Sequence, residues 1–538
     1  MFKRFGVMMD MSRNGVMKPE QVKEYARTIK KLGYNMIQLY TEDTYEIPEE
    51  PYFGYLRGRY SKEELKDIVQ YCNSIDIEVI PCIQTLAHLN QMFYWKEFQK
   101  FRDQDDVLLV GDERTYSLIE KMFKNMRDCF TSEIIHIGMD EAHSLGRGQY
   151  LDINGSENRY DIIRKHLERV IQLAKKYGFR PIMWSDMFFR IANNGEYFST
   201  DPNIISDEIL ASCPDGVDQV YWDYHRDKKE HYDVMLESHK RFGGESWFAG
   251  GAWTWMGFAS NNDWSLKTML PAMQSCREKG VQNIMMTVWG NFGKLCSYYA
   301  VLPSLYAIRR FYDGVEDMEQ IKKEFSEITG ENFDDMMKLD IRVDVGPVDK
   351  EYSTVPYTYL LFNDPLLGMV DAHIVGSRRK EFEEVAEQFE NAAKTSKFAT
   401  IFKSQAALCR ALAVKYDLGF RTRKAYQEKD INELKVICDD YLLVMERIEE
   451  FLTCFSKHWF EENKPHGIDV TEIRIGAILT RLRSARRRLI SFIAGDIDKI
   501  DELEEEILLF RGHGCNPINY QQLPAVNIWH LIASPNFI

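Results

Sequence analysis

Asp140 and Glu141 stand side by side at the end of an apolar run, Ile134-Ile135-His136-Ile137-Gly138-Met139. Two adjacent carboxylates in a confined place push their pKa values apart, so that one stays ionised while the other holds a proton. That pairing suits acid catalysis on a polar, uncharged substrate. The same pair would also suit a solvated loop or a helix N-terminus, where acids complement the helix dipole. Its company favours chemistry. Other apolar runs end on Asp10 with Arg13, Glu42 with Asp43, and His88 shortly after a third run. Further on come Trp184 with Asp186, Trp222 with Asp223 and Tyr224, Trp253 with Trp255, and Trp289 with Asn291.

The elements that carry these residues can be read from periodicity. Ile135, Ile137 and Met139 alternate with His136, Gly138 and Asp140, the period of a strand. Strands are expected at 5–9, 35–40, 78–83, 134–139, 180–184, 219–224, 247–253 and 283–289. Helical patterns lie between them at 19–32, 62–73, 114–129, 160–177, 230–241 and 266–278, with another at 303–311. The connection 190–217 is irregular. Near-continuous apolar strands spaced by helices imply a parallel sheet buried on both faces. Eight such units fit an α/β fold of the (β/α)8 TIM barrel type over residues 1–312. A doubly wound sheet would show a glycine-rich phosphate loop after its first strand, and Asp10-Met11-Ser12-Arg13 is not one. In a barrel, residues at the carboxyl ends of the strands share one mouth.

Residues 313–538 have a different texture, with long helical patterns at 377–394, 401–428, 432–454 and 469–493, and are expected to form a mostly α-helical C-terminal domain. Arg481, Arg483, Arg486, Arg487 and Arg488 form a basic cluster. A solvated helix face opposite the acids of 501–506 is expected there, rather than a nucleic-acid patch. The formal net charge of −15 argues against nucleic-acid or anionic-membrane partners. No segment reaches the roughly 20 apolar residues of a membrane span. The ten cysteines are scattered without C-x-x-C spacing, so neither zinc nor a disulfide framework is expected, and the simpler location is cytoplasmic.

Trp184, Trp222, Trp253 and Trp289 place an indole at four of the eight strand ends, on a rim shared with acids. Aromatic faces stack on the apolar faces of sugar rings, and carboxylates grip the hydroxyls. The rim therefore reads as a carbohydrate pocket and the acid pair as that of a glycosidase. Two other readings stay open. One is a non-catalytic sugar-binding barrel. The other is a retaining glycosidase whose nucleophile, Asp186 or Asp223, would lie about 5 Å from Glu141.

These residues resemble the β-N-acetylhexosaminidases of glycoside hydrolase family 20. The likeness rests on H-x-G-x-D-E at His136, Gly138, Asp140 and Glu141, and on D-x-x-R at Asp10 and Arg13. Residues 81–88 resemble the family's P-E-I-D-x-P-G-H segment, with departures at Cys82, Gln84, Leu86 and Ala87. The segments around Tyr40, Trp184, Trp222 and Trp253, and the tail segment 458–464, resemble a compact bacterial branch with a helical C-terminal domain.

The resemblance implies exo-hydrolysis of terminal β-linked N-acetylglucosamine, or N-acetylgalactosamine, with no cofactor or metal. The substrate's own acetamido oxygen would be the nucleophile. Glu141 would be the acid/base and Asp140 the partner of the acetamido N–H. Trp184, Trp222 and Trp289 would box the sugar, and Tyr224 would donate to the acetamido oxygen. Arg13, His136 and Trp253 complete the expected binding set. His88 with Asp43 would relay to Glu141, unless His88 is a satisfied structural histidine. Asn291 stands where the family carries an acid that grips outer hydroxyls, with Lys294 close behind. That change admits a modified terminal sugar, such as a 6-sulfate, as an alternative substrate. The partner implied is a glycan, and a homodimer is one expectation for assembly.

Overall fold

The structure is a computed structural model that describes residues 2–291, 293–345 and 355–509. Eight strands close a barrel: β1 (Arg4–Asp10), β2 (Met36–Tyr40), β3 (Glu78–Cys82), β4 (Ile134–His136), β5 (Arg180–Trp184), β6 (Asp218–Trp222), β7 (Trp247–Gly251) and β8 (Asn283–Val288). Each pairs in parallel with its neighbour in sequence, and β8 returns to β1 with Arg4 opposite Asn283 and Met9 opposite Val288. The register of β1 on β2 depends on Gly6, where a Cβ would come within 2.3 Å of the Met36 methyl.

Helices form where sequence supplies both a start signal and an apolar stripe. Pro19–Lys31 begins on a proline, whose missing N–H is one that a first turn leaves unpaired anyway. Its buried Val22, Tyr25, Ala26 and Ile29 recur at helical spacing. Lys62–Ser74 starts with a capping box in which Ser61 and Glu64 satisfy each other's backbone N–H. The connection 190–217 holds two short helical pieces, the end of Asp186–Ala192 and Asp207–Ser212.

The chain divides into two compact units, interleaved in sequence. The first comprises Met1–Ala252, Ser265–Gly290 and Ser304–Thr329, and holds the barrel. The second comprises Trp253–Trp264, Asn291–Pro303 and Gly330–Ile538. Its described residues are mostly helical, and Phe258 packs edge-on against Phe451 and Phe455 at 5.0 and 5.4 Å. The helix expected over 401–428 is two, Ala399–Lys415 and Leu418–Gln427. The one expected to end at 454 runs on as Ile431–Glu462, because Phe455, His458, Trp459 and Glu462 continue its buried stripe. Of the basic cluster, Arg488 pairs with Glu502 in the acidic segment, whereas Arg481 reaches Asp364 at 2.6 Å. Among the described residues no helix is long and apolar enough to cross a membrane.

Candidate active site

The Asp140–Glu141 pair is presented by a turn and not by a continuous strand. The strand expected over 134–139 ends at His136. Some ladder bonds persist, with Thr85 N–H donating to Ile137 O at 3.2 Å and Trp184 N–H to Gly138 O at 3.1 Å. Gly138 and Met139 then adopt left-handed φ of 69° and 72°, and Glu141 follows at 50°. Left-handed non-glycine residues cost of order 1–3 kcal/mol each and persist only where the surroundings over-determine them. Gln84 does much of this. Its Oε1 accepts the Met139 N–H at 3.2 Å, and its Nε2 donates to Asp140 Oδ1 at 2.8 Å and to the Tyr40 oxygen at 3.0 Å.

Gly138 is required twice over, by its φ and because a Cβ there would lie 2.0 Å from Gln84 Oε1. Gly138→Ala is therefore expected to displace Gln84 from Asp140 and to destabilise the protein by roughly 1–3 kcal/mol. A thermal melt checks this. An unchanged midpoint would show that the turn relaxes without Gln84.

Asp140 carries a fixed negative charge. Burial alone would raise its pKa. His88, whose Nε2 lies 3.1 Å from Oδ2, and the Gln84 hydrogen bond outweigh burial and hold it at about 2. The imidazole of His88 responds in kind: burial lowers its pKa, but Asp140 more than reverses this, to about 9. The His88 backbone, left-handed at φ 59°, donates its N–H to Asp106 Oδ2 at 2.9 Å. Glu141 is the more open member of the pair, its side chain 41% exposed. Its Oε2 lies 3.7 Å from His88 Nε2 and its Oε1 3.5 Å from Arg190.

Aromatic rings line the same strand ends. Trp184 packs on His136 at 4.3 Å and on Trp289 at 6.2 Å between centroids. Tyr40 meets Trp289 edge-on at 4.9 Å, and Trp222 stacks on Tyr224 at 5.4 Å. Burial and the Glu141 carboxylate push the Tyr224 phenol well above its ordinary pKa, so it keeps its proton to donate. Arg13 lies over the rings of Trp289 and Tyr40, 3.2 Å from Asp10 Oδ2 and 3.8 Å from Glu42. Asp10 also accepts the Gly290 N–H at 2.9 Å, which ties the end of β1 to the residues following β8.

The barrel thus brings together Asp140, Glu141, His88, Arg13, His136, Trp184, Trp222, Tyr224 and Trp289. His136 is fully buried, and burial lowers its pKa to about 3. Its Nδ1 accepts the Gly138 N–H at 3.1 Å. Neutral, it braces the turn and the Trp184 ring. Asp43 is not the expected relay partner of His88. It pairs with Arg57 at 3.1 Å, and its second oxygen is buried without a hydrogen-bond partner. Asp106 takes that place beside His88, because the loop after β3 folds back over its own strand end.

Trp253 and Asn291 belong to the second unit, where Trp253 stacks on Trp255 at 4.2 Å. Lys294, also in that unit, is buried under the Tyr298 ring and donates to Asn463 Oδ1 at 2.7 Å. It is therefore engaged internally, and the expectation that it receives a sulfate loses its cation.

Sequence reasoning passed over Gln84 as a departure and did not see Asp106 or Arg190. Only the position of Gln84, inside a recognised segment, could have signalled a role. Asp186 and Asp223, weighed as nucleophiles, are both fully buried. Asp223 accepts from the Tyr221 hydroxyl and the His225 N–H. Asp186 accepts from the Glu141 N–H and pairs with Arg190.

Residues 4–205 match the family model for the catalytic domain of glycosyl hydrolase family 20, and residues 332–519 match that for the glycoside hydrolase 20C C-terminal domain. Hexosaminidase D of Bos taurus is 26% identical over 40% of this chain and 62% of its own length. Hexosaminidase D of Homo sapiens is 25% identical over 41% of this chain and 46% of its own. The chain thus spans less than two thirds of the length of these curated relatives. A solved β-N-acetylhexosaminidase of Bacteroides fragilis NCTC 9343 superposes with a TM-score of 0.43 at 18% identity, over 58% of this chain and 65% of that one.

Proposed function

We propose that this glycoside hydrolase, with its family 20 catalytic domain, is an exo-acting β-N-acetylhexosaminidase that releases terminal β-linked N-acetylglucosamine by substrate-assisted retention. The observation that carries the reading is the division of labour within the acid pair. Asp140 is locked as an anion by His88 and Gln84, while Glu141 beside it is open, with His88 and Arg190 within 3.7 and 3.5 Å. A fixed anion suits the acetamido N–H and the positive charge that grows on it as its oxygen attacks the anomeric carbon. An open carboxyl suits proton transfer at the glycosidic oxygen, first to the leaving group and then from water.

The buried state of Asp186 and Asp223 supports the same choice. A carboxylate nucleophile must reach the anomeric carbon, and both groups are turned to internal donors. Trp184, Trp222 and Trp289 would hold the pyranose and acetamido methyl in attacking geometry. Tyr224 would donate to the acetamido oxygen and Arg13 would serve the sugar hydroxyls. Asp43 and His136 would act from behind.

The test is release of 4-nitrophenol from its β-N-acetylglucosaminide, with and without a thiazoline analogue of the cyclic intermediate. Turnover that the thiazoline blocks is expected. Turnover insensitive to it would favour a carboxylate nucleophile. Silence would revive the binding-protein alternative.

A further inference from the structure

We propose that Arg190, acting with Asp186, is a positioning residue that aims the Glu141 carboxyl. This rests on the reading of Glu141 as the acid/base. Asp186 and Arg190 lie one turn apart on the helix Asp186–Ala192, with Arg190 Nε 3.1 Å from Asp186 Oδ2. That same Oδ2 accepts the Glu141 backbone N–H at 3.1 Å, and so holds the left-handed residue in place. From there the guanidinium spreads two ways. NH1 donates to Gly195 O at 3.1 Å, and NH2 reaches Glu141 Oε1 at 3.5 Å, with the Tyr197 ring 5.9 Å away. Asp186 directly, and Arg190 in relay, thus tie the backbone and the carboxyl of Glu141 to a single buried anchor.

The two oxygens of Glu141 therefore face different cations. Oε2 faces His88, which is already committed to Asp140, and Oε1 faces Arg190. The other charged or titratable groups that act on this neighbourhood are Arg13, Asp106, Asp140, His143, Arg159, Asp186 and Tyr224. Burial, with Asp140 and Glu141 nearby, pushes Asp186 up to about 7, against the pull of Arg190. When Glu141 gives up its proton it becomes a third carboxylate beside Asp140 and Asp186. Arg190 is placed to meet that charge, and its planar fork lets it hold both acids without releasing either.

The experiment follows the Glu141 carboxyl directly, by 13C NMR titration of protein labelled at glutamate Cδ. The resonance is identified by its absence in Glu141→Gln. Loss of a cation raises a neighbouring carboxyl's pKa and loss of an anion lowers it. Arg190→Gln is expected to move the Glu141 midpoint up by about half to one pH unit. Asp186→Asn is expected to leave it within a few tenths of wild type, because an acid pushed up to about 7 is largely protonated where a carboxyl titrates. Arg190→Lys is expected to stay near wild type in midpoint yet lose turnover, because a point charge cannot hold both acids. A role in folding alone would not move the midpoint in Arg190→Gln and spare it in Asp186→Asn. No upward shift in Arg190→Gln, or an equal one in Asp186→Asn, would overturn the proposal. Should Arg190→Gln fail to fold, Arg190→Lys decides it, and wild-type turnover there would overturn the proposal. An upward shift in a protein that turns over no N-acetylhexosaminide would instead strike down the acid/base reading.

Discussion

Glu141→Gln is expected to lower turnover of an N-acetylglucosaminide with a poor leaving group by about 10²–10⁴-fold. On a dinitrophenyl glycoside, whose leaving group needs no proton, the bond-breaking step should be nearly unaffected. The amide matches the carboxyl in shape and keeps the backbone N–H that Asp186 accepts, so the left-handed turn at 141 should survive. Glu141 is also the member of the pair open to solvent, and its partners Arg190 and His88 each retain a second acid, Asp186 and Asp140. A thermal midpoint close to wild type is therefore expected alongside the kinetic loss. Equal losses on both substrates would remove proton donation as the role of Glu141.

Asp140→Asn should be as damaging and differently patterned, costing about 10²–10³-fold on good and poor leaving groups alike. The charge that Asp140 balances belongs to the acetamido group and develops whatever the leaving group is. Near-normal rates would sink the substrate-assisted scheme.

The same variant has a consequence for stability against pH. Asp140 is depressed to about 2, so its contribution is present above the unfolded value of about 3.9 and is lost as pH falls through 2. His88 is raised to about 9, so its contribution is full below about 6.5 and is lost as pH rises through 9. Wild type should therefore exceed Asp140→Asn in melting temperature most between about pH 4 and 6.5, with the gap narrowing towards pH 9.5. A gap that stays constant from about pH 4 to 9.5 would mean that the charge on His88 contributes nothing to it.

What the chain determined by itself is what depends on neighbours in sequence. Short apolar runs placed all eight strands to within a few residues and the 3.6-residue repeat placed the helices between them, because both patterns are local. The barrel then followed, and with it a common mouth for Asp10, Asp140, Trp184, Trp222 and Trp289, since parallel strands all point their carboxyl ends one way. Tertiary structure decided the rest. Met139 and Glu141 are left-handed, against their own preference, because Gln84 from the β3 end and Asp186 from the β5 end take their N–H groups. His88 faces Asp106 and Asp140 while Asp43 goes to Arg57, and Lys294 is spent on Asn463, 169 residues away. Partnerships of this kind are set by three-dimensional distance and by the cost of burying a charge unpaired, and neither has a period that a sequence displays.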